Sequence, residues 1–154
     1  MLEDYPDLDC LVAPVGGGGL IAGTCMAAQY FGKKGIEVFA AEPELANDTY
    51  NSFKSGEYKP NKSAPTIAEG LRVNIYPMNL EILKKYAKDV LLVSEQEIID
   101  AMLLVYQRLK IVIETSCAVA VAAVLKNKEV FQGKKVGAIL SGGNVDLTSL
   151  PFKN

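Results

Sequence analysis

The chain has 154 residues, 49% of them hydrophobic, which is enough for one domain with a substantial core. Lys and Arg number 16 against 18 Asp and Glu, a net charge of −2 (16 − 18) with no long run of one sign, and this excludes nucleic acid as a partner. Histidine is absent, so Ser-His-Asp triads, Cys-His dyads and histidine-ligated metals are excluded too.

In chain order, Cys10-Leu11-Val12-Ala13 reads as a buried strand and residues 20–31 as a helix. Between them lies Pro14-Val15-Gly16-Gly17-Gly18-Gly19-Leu20. Consecutive glycines lose the most backbone freedom on folding, so a run of them at a strand-to-helix turn needs a reason. Backbone N–H groups without side-chain obstruction, at the positive end of a helix dipole, form an anion cradle that needs no basic residue.

Gly32-Lys33-Lys34-Gly35 is a turn, residues 36–41 form a second strand that ends at Glu42-Pro43, and a helix covers about 47–55. Residues 56–65 contain two prolines and no periodicity and read as surface loop. Residues 66–77 are irregular, with Gly70 a backbone special point, and 80–87 form a short helix. Asp89-Val90-Leu91-Leu92-Val93 is a third strand, and Ser94-Glu95-Gln96-Glu97 is a capping box that starts a helix running to about Lys110. Ile98, Met102, Val105 and Leu109 form its apolar stripe. Glu114-Thr115-Ser116 opens a small-residue helix over 117–125, packed on both sides, and residues 135–140 are a last buried strand leading into Ser141-Gly142-Gly143-Asn144. Alternating helices and strands predict a single α/β domain over 1–154, a three-layer sandwich with a mostly parallel sheet.

The apolar run at 118–125 is far below the roughly 20 residues of a bilayer span, and Met1-Leu2-Glu3-Asp4 is too acidic for a signal peptide. These features predict a soluble, cytoplasmic protein with no membrane partner. Cys10, Cys25 and Cys117, in apolar contexts and without metal-ligand spacing, read as buried small hydrophobes.

The glycine run admits several ligands. A P-loop is excluded because no Gly-Lys-Ser/Thr closes the turn. A dinucleotide site fits Gly17-Gly18-Gly19-Leu20-Ile21-Ala22 as G-x-G-x-x-A, with Glu42 at the end of the next strand as the ribose acid. A monophosphate cradle for a cofactor such as pyridoxal phosphate fits equally. A phosphate- or nucleotide-binding module without catalysis is the competing class. Ser141 also follows a strand, so it falls at the same sheet edge if the strands are parallel, where its hydroxyl can hydrogen-bond a ring nitrogen.

The two glycine motifs, joined by Thr66-Ile67-Ala68-Glu69-Gly70 and Ile113-Glu114-Thr115, resemble the C-terminal half of fold-type II (tryptophan synthase beta-like) pyridoxal-phosphate enzymes, in particular the serine racemases and serine/threonine dehydratases. The resemblance spans about 8–150. It implies that Gly16, Gly17, Gly18, Gly19 and Leu20 hold the phosphate of pyridoxal 5'-phosphate and that Ser141 meets the pyridine nitrogen. It also implies that Gly70 lies on the substrate side of the cofactor and Glu114 near its ring. A small amino-acid substrate of the serine or threonine class and a homo-oligomer follow from the same resemblance.

Racemase-like members hold Mg2+ or Ca2+ through an acid, a carbonyl four residues on and an acid two beyond. Glu42, the Ala46 carbonyl and Asp48 match that spacing, and Asn79 answers to a further ion position. A strand-end acid followed by a helix-capping acid is the structural alternative for the pair. Lys110 and Asn144 answer to contacts for an ATP effector at the dimer interface. The family's Schiff-base lysine, in its Ser-x-Lys segment, has no counterpart, and Glu69 stands where aspartate is common. The resemblance thus implies that the chain lacks the N-terminal catalytic-lysine portion and is inactive alone, with a separate N-terminal half chain as one partner.

Overall fold

The computed structural model describes residues 1–152. Four strands, β1 (Cys10–Pro14), β2 (Glu37–Pro43), β3 (Asp89–Val93) and β4 (Val136–Ala138), form one sheet in the order β3-β2-β1-β4, every pair parallel. The helices are α1 (Gly19–Phe31), α2 (Asp48–Ser55), α3 (Pro77–Tyr86), α4 (Glu95–Leu109), α5 (Thr115–Lys126) and the short α6 (Lys128–Phe131). The chain moves outward from β1 to β3 and then returns to the other side of β1. Right-handed crossovers going in opposite directions put their helices on opposite faces. The sandwich therefore has three layers, as expected.

Alternate residues of β1 and β2 divide between two cores. Leu11, Ala13, Val38 and Ala40 pack with Ile21, Cys25 and Ala28 of α1 and Leu80 and Leu83 of α3. Cys10, Val12, Phe39 and Ala41 pack with Ile98, Met102 and Val105 of α4 and with α5. Ala118, Ala120, Ala122 and Ala123 of α5 are fully or almost fully buried, and small side chains let this helix lie between the sheet and α4. Ser94 caps α4 as expected, accepting the Glu97 N–H at 3.3 Å while the Glu97 carboxylate accepts the Ser94 N–H at 2.7 Å.

Four expectations are corrected. The last strand is three residues long and half-buried, because β4 pairs only with β1 and forms an edge. Helix α3 starts three residues early, since Pro77 fits its first turn. Leu109 is exposed, because the buried stripe of α4 ends at Val105. Helix α6, absent from the sequence reading, exists to seat Phe131 edge-on against Phe39 at 5.1 Å between ring centroids. The three cysteines are buried and unpaired, as expected, and among the described residues no helix is long and apolar enough to cross a membrane.

Glu42, at 1% exposure, turns its carboxylate onto the first turn of α2, accepting the Thr49 N–H at 3.0 Å and the Tyr50 N–H at 2.8 Å. Burial outweighs these bonds and pushes its pKa up to about 8. A carboxyl whose folded pKa lies above its unfolded value of 4.5 contributes stability that is fully present below that value and lost as pH rises through about 8. With no histidine to titrate in that window, chelator-treated protein is expected to lose stability between about pH 5 and pH 8. Glu42→Gln flattens the slope in urea unfolding at stepped pH, and an unchanged slope contradicts the assignment.

Candidate functional site

The strand order reverses between β1 and β4, and in such sheets ligands sit outside the carboxyl ends of the strands at that point. A cleft of about 350 Å³ opens there, lined by residues 16–20, Gly70, Tyr76, Asn79, Glu114, Ser116 and Ser141. It brings the first glycine motif together with Ser141 of the second, and no lysine or arginine is among its lining residues.

The loop side is built from backbone. The Val15 N–H still pairs with the Ala41 carbonyl at 2.9 Å, but the N–H groups of residues 16–20 find no acceptor among the described residues. The first bond of α1, from Ala22 N–H to the Gly18 carbonyl, forms at 2.9 Å. Gly18 takes φ 87°, a left-handed conformation suited to glycine. At Gly16 a Cβ would lie 3.1 Å from the Gly70 carbonyl oxygen and 3.1 Å from Leu71 Cα, so the loop can lie flat against residues 69–71 only without a side chain. Unpaired donors at a helix N-terminus suit an anion.

The Ser141 side is tied to the start of α5. Glu114 N–H donates to the Gly142 carbonyl at 3.2 Å, and the Glu114 carboxylate accepts the Asn144 N–H at 3.1 Å. Gly142 N–H points at Cys117 Sγ at 2.8 Å, and Ser141 Oγ lies 3.7 Å from the same sulfur. Cys117 is buried, but it also anchors the turn, a role that its apolar sequence context concealed.

Gly70 has no positive φ among the described residues. Its special feature is close approach: a Cβ there would come 3.0 Å from Ser116 Oγ, which accepts the Gly70 N–H at 3.0 Å. Glu95 fixes the segment before it, accepting from Ile67 N–H at 2.6 Å and Thr66 Oγ1 at 2.8 Å. A second cleft of about 550 Å³ shares Gly70, Glu114 and Ser116 with the first and extends to Arg72 and Asn144. Ser116, Tyr76 and Glu95 were not singled out in the sequence, because nothing local shows what a helix start or a loop meets across the fold.

Glu42 does not line the cleft, and its buried carboxylate is committed to α2. It therefore cannot hold a ribose as the dinucleotide reading requires. Asp48 is also buried, accepts the Ile75 N–H at 2.7 Å, and has its pKa raised by burial. The Thr49 hydroxyl, buried beside them in sequence, has no hydrogen-bond partner. No group of three acidic, cysteine or histidine side chains placed to hold a metal ion occurs among the described residues. Asn79 belongs to the glycine loop: its amide donates to the Gly17 carbonyl at 2.8 Å, and no hydrogen bond among the described residues joins it to Glu42 or Asp48. Lys110 caps α4 with φ 60° and lines neither cleft, whereas Asn144 lines the second, so the two are not brought into one pocket.

The family model described as "Pyridoxal-phosphate dependent enzyme" matches residues 1–142. The chain is 43% identical over 152 residues to a beta-hydroxyaspartate dehydratase of Paracoccus denitrificans, covering 99% of this chain and 48% of that one. It is 47% identical over 158 residues to a serine racemase of Dictyostelium discoideum, covering 97% and 47%. The structure of maize serine racemase superposes with a TM-score of 0.90 at 36% identity, covering 96% of this chain and 46% of that one. The chain spans about half the length of the relatives it matches. Sequence, sheet topology and the paired glycine turns agree that this chain belongs to the pyridoxal-phosphate dependent enzyme family.

Proposed function

We propose that this chain supplies the phosphate cradle and pyridine-nitrogen contact of a pyridoxal-phosphate dependent racemase or ammonia-lyase acting on small hydroxy amino acids of the serine or threonine class. The observation that carries this reading is one cleft that joins the unpaired N–H groups of residues 16–20 to the Ser141 hydroxyl. Residues 16–20 bind the phosphate through backbone dipoles. Ser141 Oγ donates to the ring nitrogen and, being a weak acid, leaves it unprotonated. Glu114 holds the Ser141 turn in place and borders both clefts, while Gly70 leaves room on the substrate side. Pyridoxal phosphate, when bound, supplies an electron sink that makes removal of an α-proton feasible.

The amine that attaches the cofactor comes from a segment outside these residues, on the same polypeptide or on a partner chain, and the working enzyme is a cytoplasmic homo-oligomer. The lysine-free lining of the cleft supports that division. The isolated chain is therefore expected not to racemise or dehydrate serine in the presence of pyridoxal phosphate. Turnover at the rate of a full-length relative defeats the proposal. Ser141→Ala is expected to weaken binding of pyridoxine 5'-phosphate about three- to tenfold, the worth of one hydrogen bond, without altering affinity for inorganic phosphate. Calorimetric titration of both ligands checks this.

Glu42, the Ala46 carbonyl and Asp48 would offer oxygen ligands of the kind that suits Mg2+ or Ca2+. Two buried carboxyls with raised pKa values and no basic partner among the described residues support a cation there. Millimolar calcium or magnesium is expected to raise the melting temperature at pH 8 and to leave that of Glu42→Gln unchanged. Equal responses in both proteins remove the cation from this reading.

A further inference from the structure

Glycines that form an anion cradle also leave it plastic. The peptide between Gly17 and Gly18 has glycine on both sides, so rotating its plane meets little steric resistance. A flipped plane presents a carbonyl where the cradle needs an N–H. Something has to hold it.

The Gly17 carbonyl oxygen accepts two hydrogen bonds from one neighbouring segment: from the Asn79 side-chain amide at 2.8 Å and from the Tyr76 backbone N–H at 3.2 Å. Tyr76 and Asn79 stand at the N-cap and in the first turn of α3. The same contact is close-packed, since a Cβ on Gly18 would meet Asn79 Cβ at 2.8 Å and one on Gly17 would meet the Tyr76 ring at 3.1 Å. No peptide bond among the described residues is cis, so the Gly17 carbonyl and the Gly18 N–H point in opposite directions. A carbonyl pinned toward α3 turns the Gly18 N–H away from α3. That N–H has no acceptor among the described residues, and Gly18 is one of the residues that line the cleft.

We propose that Asn79 is a positioning residue for phosphate recognition, clamping the Gly17 carbonyl so that the Gly17–Gly18 peptide presents its N–H to the phosphate. This rests on the reading of residues 16–20 as a phosphate cradle. Asn79 touches the loop and acts through it, and its effect is preorganisation: it removes the cost of ordering a flexible loop at the moment of binding.

The probes are pyridoxine 5'-phosphate and pyridoxine, which share a ring and differ in the phosphate. Neither carries an aldehyde to react with surface lysines. Titration of the whole chain is expected to show that the wild type prefers the phosphorylated form. Asn79→Leu, similar in size but without a donor, is expected to lose about tenfold in affinity for pyridoxine 5'-phosphate and nothing for pyridoxine. The Gly18 amide shift on adding the phosphorylated ligand is expected to shrink in the variant's nitrogen–proton spectrum. Asn79→Asp, isosteric and without the donor at neutral pH, repeats the comparison if the leucine variant does not fold. The clamp is overturned if both variants keep the wild-type preference, or if both ligands weaken alike, which a purely structural role gives. A wild type with no preference for the phosphorylated form overturns the cradle itself, and the clamp with it.

Discussion

Everything around the cleft answers to one constraint: a strand has ended, a helix has not yet begun its hydrogen bonding, and the N–H groups of residues 16–20 in between have no acceptor among the described residues. Backbone donors left unpaired are costly unless water or a ligand reaches them, so the segment has to lie at the surface of a cleft. The parallel sheet provides that place. Reversal of strand order beside β1 leaves a crevice between the connections that follow β1 and β4. Both glycine turns are what such a crevice permits: chain passing close to chain, with side chains removed where they would collide.

Carboxylates hold the segments around the cleft. Glu95 accepts from the Thr66 hydroxyl and the Ile67 N–H, Glu114 from the Asn144 N–H and Asp48 from the Ile75 N–H, and away from the cleft Glu42 accepts from the first turn of α2. A loop without a strand partner has donors to satisfy, and an ionised or partly ionised side chain is a strong acceptor for them. At Glu42 and Asp48 this arrangement carries a burial cost, seen as carboxyls held above their ordinary range. Acid spacing that matches a metal pattern in the sequence thus serves as a structural device, and the proposed cation would have to share the same oxygen atoms.

The sheet and its helices were legible because their signals are local. Apolar periodicity, the Ser94–Glu97 capping box and the glycine turn each act within a few residues. What escaped depends on partners far along the chain. Strand β4 is an edge because β1 is its only neighbour, Phe131 is buried because Phe39 faces it, and Cys117 anchors Gly142 from 25 residues away. Asn79 shows the same limit. The family resemblance implied an ion position for it, and the approach of α3 to the glycine loop gives it the Gly17 carbonyl. The glycine motifs are contiguous strings and could be read along the chain, whereas single polar residues in irregular chain can be placed only by the fold.

The cleft is also selective in what it leaves out. Its lining offers the backbone of residues 16–20 and the Ser141 hydroxyl, and no lysine or arginine is among its lining residues. Fixed dipoles can hold a dianion without placing a nucleophilic amine beside a bound aldehyde. A lysine in such a cradle would compete for covalent attachment at the wrong position. On the proposed reading, backbone recognition of a phosphate would leave the covalent role to an amine brought from elsewhere. A cradle of backbone dipoles would then keep noncovalent seating of the cofactor separate from its capture.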